Sequence, residues 1–395
     1  VAETKSMIAG MSVIFYDDSP VFGGHEVMAL AGLEAVLSRS TDRVVFIASR
    51  SNEKLQAKLA EISLRYEQLE VEVVEWKSSK LEGLRHWLLP WRSMALQKII
   101  QRCGGRLLVV VQGNIEHSSL GFFAARGIGI RCVSYIPVPH TNAQMGAKFG
   151  AVRDWFCRRL WRMPDAWITI TDEMARMLRQ RGATAPIRVV YNGVDTARFC
   201  QGSQQEARES LHLPQDRVIL GVIGRVEFRQ KQQQLLVEAV AGDEELRERC
   251  HLVFAGDGPD APRLAEMLGA GSVAGTMISW CDPAPLYRAL DALLIPSRYE
   301  GLPLVMLESL ATGTMVMGSD RDGMKDFLPE EARFDGESAE SMRECLKAWL
   351  RSGKKRAGEE LQTRVRREMS LAAFGESYAG AIEEEKANSF FPKSA

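Results

Sequence analysis

With 395 residues, 46% hydrophobic and 26% charged, the chain has room for two domains of ordinary size and the make-up of a globular protein, not a disordered one. A net charge of −1 gives no global electrostatic reason to bind nucleic acid, and no uninterrupted apolar run is long enough to span a bilayer. Seven scattered cysteines, odd in number and never spaced C-x-x-C, read as reduced thiols and exclude a disulfide frame or a zinc site.

The opening stretch "VAETKSMIAGMSVIFY" lacks the basic region, long apolar core and small-residue cleavage site of a signal peptide, so a cytoplasmic location is expected. Short β-rich runs then alternate with helical stretches, the pattern of parallel sheets covered by helices. Expected strands in the first half are 11–17, 43–49, 71–76, 106–113, 130–137, 166–171 and 187–193; in the second half they are 217–224, 251–258, 277–281 and 292–297. The fold class is therefore α/β, with two doubly wound domains in tandem: residues 1–198, then 199–374, with a last helix at about 375–390 returning to the first domain. In such sheets ligands bind beyond the carboxyl ends of the strands, and two facing sheets make a cleft the default site.

The loops after the strands carry the candidate chemistry. The first strand runs into "DDSPVFGGHEVMALAGL", where Gly23 and Gly24 stand at the turn from strand to helix. Glycines allow close approach of a ligand, and the helix N-terminus behind them suits a phosphate or carboxylate; a plain tight turn explains the pair equally well. The spacing is not G-x-G-x-x-G, so a dinucleotide cofactor is not expected. At the start of the second half, "GVIGRVEFRQKQQQLL" puts Gly224 and Arg225 at a strand end and Lys231 just before a helix. Two cations across such a loop could hold a diphosphate from two directions, or simply be solvated. "AGDGPD" and "YNGVD" are turn signals, read as framework and as a hinge loop.

The segment "RYEGLPLVMLESLATG" follows the strand "ALLIPS". Pro303 suits a first helical turn and Gly313 suits its end, so a helix is expected over about 303–312. Glu300 then stands at the strand tip with the backbone N–H groups of Gly301 and Leu302, and Glu308 lies on the second helical turn among apolar neighbours. A carboxylate there is costly to bury without hydrogen bonds, and it suits a pair of sugar hydroxyls; the competing reading is a structural arginine partner or a cap by backbone groups.

Together "GRVEFRQK", "AGDGP", "IPSRYEGLPLVMLESLATG", "YNGVDTARF" and the Gly-Gly after the first strand resemble retaining GT-B glycosyltransferases of the family 4 type, over residues 12–330. The Glu-x7-Glu pair, Glu300 and Glu308, is the most specific element. The resemblance implies that Glu308 binds the nucleotide ribose and Glu300 stands beside the donor sugar, with Gly301, Leu302 and Pro303 giving backbone contacts. It implies that Arg225 and Lys231 neutralise the diphosphate, that Gly24 approaches the same phosphates, and that His140, in "SYIPVPHTN", lies near the reacting sugar. The loop 225–231 is one residue longer than the commonest form, and Trp280 stands where a small residue is common near the base; it is read as shaping the base pocket or as a core residue.

The implied reaction moves a hexose-type sugar from a nucleoside diphosphate, UDP before GDP, to a glycan or lipid-linked acceptor, with no cofactor and no metal. "DRD" at 320–322 spells a metal-binding pattern and is read as a decoy in a strand-to-helix loop. Basic aromatic stretches at 81–102 and 148–167 raise peripheral contact with a membrane; residues 84–100 are the candidate for it, whereas most of the second stretch reads as a core face. Competing readings are a sugar-nucleotide epimerase or hydrolase, and a two-domain solute-binding protein.

Overall fold

Strand β1 (Ser12–Asp17) has no exposed residue, as expected of an apolar run in a parallel sheet covered on both faces. The computed structural model describes residues 12–353 and 358–389, so Met11 of the expected first strand, and the expected end of the last helix at 390, lie outside them. Six further strands, β2 (Val44–Ser49), β3 (Leu69–Val74), β4 (Gly105–Val111), β5 (Arg131–Tyr135), β6 (Ala166–Thr169) and β7 (Ile187–Val189), complete a parallel sheet in the order β3-β2-β1-β4-β5-β6-β7. Val13 pairs with Val44 on one side and Leu107 on the other, so β1 and β4 flank the point where the strand order reverses.

The second sheet repeats the plan with β8 (Val218–Ile223), β9 (Cys250–Ala255), β10 (Gly275–Ile278), β11 (Ala292–Ile295), β12 (Met315–Ser319) and β13 (Arg333–Phe334), in the order β10-β9-β8-β11-β12-β13, with its reversal between β8 and β11. Both sheets have the doubly wound order, and each has its own apolar core. Strands β12 and β13 are absent from the sequence expectation: β12 is "MVMGS", with few β-branched residues, and β13 is two residues long. β10 begins two residues before the expected run and ends at Ile278, because its register is set by pairing with Leu252 to Ala255.

The chain divides into two compact units, one of residues 1–191 and 372–395 and one of 192–371. Residues 192–199 belong to the second unit: Val194 bridges to Ser370, and Phe199 meets Tyr287 edge-on at 5.8 Å. Nearly all of the last helix, Leu371–Asn388, belongs to the first unit. Tyr378 there fills the space beside Gly32, where a Cβ would come within 2.6 Å of its ring, and Glu385 pairs with Arg131 at 2.5 Å. Among the described residues no helix is long and apolar enough to cross a membrane.

In the second unit the loops after β8 and β9 touch backbone to backbone. Gly256 has φ +131°, and a Cβ on it would lie 2.3 Å from the Gly224 carbonyl oxygen; Gly258 would clash similarly with Val226. Gly256→Ala therefore strains both φ and packing, and is expected to cost about 2–3 kcal/mol of stability, measured by denaturant unfolding. An unchanged midpoint would show that the two loops have room to part.

Candidate active site

The loops beyond β8 and β11, on either side of the reversal in the second unit, are bound to each other. Arg298 N–H donates to the Gln230 carbonyl at 2.8 Å, and Gln230 Nε2 donates to the Tyr299 carbonyl at 3.3 Å. Residues Phe228–Lys231 form a short helical turn, followed by Gln232 in the left-handed region at φ 48°. That turn carries Lys231 to Glu300: Nζ donates to Oε1 in a part-buried ion pair. A part-buried pair of this kind gains from its short contact and loses from desolvation, so it adds little net stability.

The Glu300 loop is fixed from three further directions. Asp322 Oδ2 accepts the Glu300 backbone N–H at 2.8 Å, and Gly323 N–H donates to the Gly301 carbonyl at 3.2 Å. The buried Asn192 donates through Nδ2 to the Leu302 carbonyl at 2.8 Å, which gives the "YNGVD" segment a supporting role for this loop. The "DRD" motif is thus part of the same construction: Asp320 pairs with Arg333 at 2.7 Å while Asp322 holds Glu300.

Pro303 takes the cap position (φ −62°, ψ 126°) and the helix runs Leu304–Thr312, one residue later than expected; Gly313 ends it at φ 79°. Glu308 projects from the second turn. Its partner within the chain is not the structural arginine of the competing reading: Tyr287 Oη donates to Glu308 Oε2 at 2.5 Å. Burial pushes the Glu308 carboxyl above its ordinary pKa, with the Tyr287 hydroxyl and the charge of Arg198 partly opposing the shift. Arg198 itself pairs with Asp282 at 2.7 Å.

Arg225 is largely exposed and pairs loosely with Glu227 at 3.6 Å, while its carbonyl accepts from Gln233 Nε2 at 2.8 Å. Gly224 has φ +134°, which a glycine alone adopts without strain. Trp280 is 73% exposed in the loop after β10, so its reading as a core residue does not hold.

In the first unit the loop after β1 is more elaborate than its glycines announced. Gly23 caps the helix Gly24–Arg39, and its N–H donates to Glu26 Oε2 at 2.7 Å, which closes a capping arrangement. His25 Nε2 lies 2.9 Å from Glu26 Oε1, and the fully buried Asp17 is the third member of the cluster. Burial pushes the Asp17 carboxyl up to about 7, with the neighbouring His25 opposing that rise and Glu26 adding to it. For His25 burial disfavours the charged ring, but the hydrogen bond and charge of Glu26, with the charge of Asp17, leave its pKa raised. These three side chains also have metal-ligand chemistry, the only such group among the described residues. From beyond β4, Gly113 lies under His25, where a Cβ would come within 2.6 Å of Cε1. His140 is buried on the loop after β5, a loop anchored where Asp154 accepts the N–H groups of Asn142 and Ala143 at 2.7 and 3.0 Å.

Sequence reasoning passed over Tyr287, Asp17 and His25, and read Asp322 only as part of a decoy motif and Asn192 only as part of a hinge loop. Only Glu26, three residues after the helix cap, had a local signal. Tyr287, Asp322 and Asn192 act on partners 21, 22 and 110 positions away, whereas Asp17 and His25 lie close in the chain to Glu26.

Comparison with known proteins adds to this geometry. The model of the family "Glycosyltransferase Family 4" matches residues 22–198, and that of "Glycosyl transferases group 1" matches residues 217–351. A D-inositol 3-phosphate glycosyltransferase of Geodermatophilus obscurus is 36% identical over 41% of this chain and 39% of its own length, so the match spans about two fifths of that relative. Among solved structures, the HepE protein of Anabaena in complex with UDP superposes with a TM-score of 0.76 at 14% identity, covering 95% of this chain and 100% of that one. Sucrose-phosphate synthase from Thermosynechococcus elongatus gives 0.74 at 17% identity, covering 96% and 100%. At these identities the superpositions show the fold.

Proposed function

We propose, from the premise that the chain belongs to the GT-B glycosyltransferases of the family 4 type, that it transfers a hexose-type sugar from a UDP-sugar, with GDP as the second choice of base. The reaction retains the anomeric configuration, and the acceptor is a glycan or a lipid-linked glycan of cell-surface polysaccharide or glycolipid synthesis. The observation that carries this reading is the placement of the two acids: Glu300 at the strand tip paired with Lys231, and Glu308 one helical turn in, held by Tyr287. Structural neighbours solved with UDP, with UDP and glucose, and with UDP-glucose support the choice of base.

In this reading charge builds on the β-phosphate as the sugar leaves, and preorganised donors lower the barrier. Lys231 and Arg225 supply the cations, Gly224 lets the backbone approach, and the helix that opens at Leu304 points its free N–H groups at the phosphate. Glu300, with Gly301 and Leu302, positions the sugar hydroxyls, and the leaving phosphate takes the acceptor proton. Glu308 accepts from the ribose hydroxyls. Gly23 and Gly24 are assigned to phosphate and His140 to the reacting sugar. No metal enters this scheme, a reading supported by the engagement of Asp320 with Arg333 and of Asp322 with Glu300.

Calorimetric titration of the chain with UDP- and GDP-sugars, each with and without EDTA, tests the assignment. Binding of a UDP-sugar that EDTA leaves unchanged is expected. Turnover lost in EDTA and restored by manganese would overturn the metal-free scheme, and release of free sugar or of an epimer as the sole product would replace transfer.

A further inference from the structure

Both basic aromatic stretches of the first unit leave large apolar side chains exposed, the second against its reading as mostly a core face. In the second stretch Cys157, Leu160, Trp161 and Trp167 enter the core as expected, but Phe149, Val152 and Trp155 do not; they are 68%, 53% and 62% exposed. In the first stretch Leu96 and Ile100 are buried, whereas Trp87, Trp91 and Met94 are 65%, 60% and 54% exposed. The three helices concerned, Glu82–Leu88, Arg92–Arg102 and Gly150–Cys157, are neighbours. Gly83 lies so close to the third that a Cβ would come within 3.0 Å of Cys157 Sγ and the Phe156 carbonyl carbon, and Arg92 Nη1 reaches back to Glu82 at 2.8 Å. Large aromatic side chains left in water at this density are the mark of an interaction surface.

The charge around them selects the partner. Lys80, Lys98, Arg102, Lys148, Arg158, Arg159 and Arg162 are exposed in the segments 80–102 and 148–162. The only acids in those segments are turned inward: Glu82 is buried against Arg85 and Arg92, and Asp154 is held by the Asn142 and Ala143 N–H groups. Arg102 is paired with Glu72 at 2.9 Å. Tryptophans in a basic surround whose own acids are turned inward nonetheless fit the headgroup region of an anionic bilayer, where indoles sit at the interface and each basic residue gains from the surface potential.

We propose that this face of the first unit docks on an anionic lipid surface. The inference stands whatever the donor or acceptor proves to be. Flotation of the full chain with vesicles of phosphatidylcholine alone, or mixed with phosphatidylglycerol, is the test. Binding is expected to rise about tenfold or more with phosphatidylglycerol and to fall with added salt. A Trp87→Ser, Trp91→Ser, Trp155→Ser variant is expected to lose about tenfold or more of it, and Lys98→Gln with Lys148→Gln to lose the preference for phosphatidylglycerol. All five side chains are exposed, so the thermal midpoints should match that of the parent chain. Absence of flotation with both vesicles, or equal flotation of the tryptophan variant, overturns the proposal. So does a dimer in sedimentation velocity that the tryptophan variant abolishes, since the surface then belongs to a second copy.

Discussion

Lys231→Ala is expected to lower the rate of transfer by roughly 10²–10³-fold while donor affinity changes far less, because in the proposed scheme the ammonium acts on charge that develops only as the diphosphate departs. The structure adds a condition. Lys231 is also the partner of Glu300, so the single variant leaves a part-buried carboxylate uncompensated. Glu300→Ala is expected to abolish most transfer in turn, and the double variant should be little worse than the poorer single, as for groups acting as a unit. The measurement is kcat and KM by release of nucleoside diphosphate, with thermal midpoints alongside. If Lys231→Ala raised KM alone and left kcat intact, the lysine would be a binding residue and the leaving-group role would be wrong.

Glu308→Gln is expected to separate binding from stability. A hydrogen bond to a charged group is worth roughly 1.5–3 kcal/mol, so if a poorly matched amide forfeits it, donor affinity should drop on the order of 10–100-fold. Stability should move the other way. The folded Glu308 has a raised pKa, through burial above all, so the folded state holds its proton when the unfolded chain, near the ordinary value of about 4.3, has lost it. Over that window stability falls as pH rises, and above the folded pKa the deficit persists in full. The amide cannot ionise and escapes the deficit. Its thermal midpoint should therefore exceed that of the parent chain at pH 7.5 and match it near pH 4. A lower midpoint at pH 7.5 would mean that the Tyr287–Glu308 bond outweighs the cost of burying the charge.

Much of the architecture was legible because its signals are local. Apolar runs without alternation marked the central strands, and the helix end at Gly313 followed from a residue that accepts positive φ. Glu300 and Glu308 were separated into a loop acid and a helix acid by Pro303 between them. What stayed hidden were β12, an inner strand poor in β-branched residues, and the two-residue edge strand β13, which are strands because β11 is there to pair with β12 and β12 with β13.

By itself, then, the sequence determined the α/β class, the alternation that makes two doubly wound sheets, and the acids and cations at the strand tips. Tertiary structure alone decided how those groups are partnered. Lys231 meets Glu300 across 69 positions, Asp322 reaches back 22 to hold its N–H, and Tyr287 meets Glu308 across 21. It also decided that Trp161 is buried while Trp155, six residues earlier in the same basic stretch, faces solvent. The physical reason is the same in each case. Periodicity and turn chemistry act over a few residues and set which side chains leave the backbone in which direction, but the atoms they meet are fixed by how strands pair and helices pack, to which distance along the chain is indifferent.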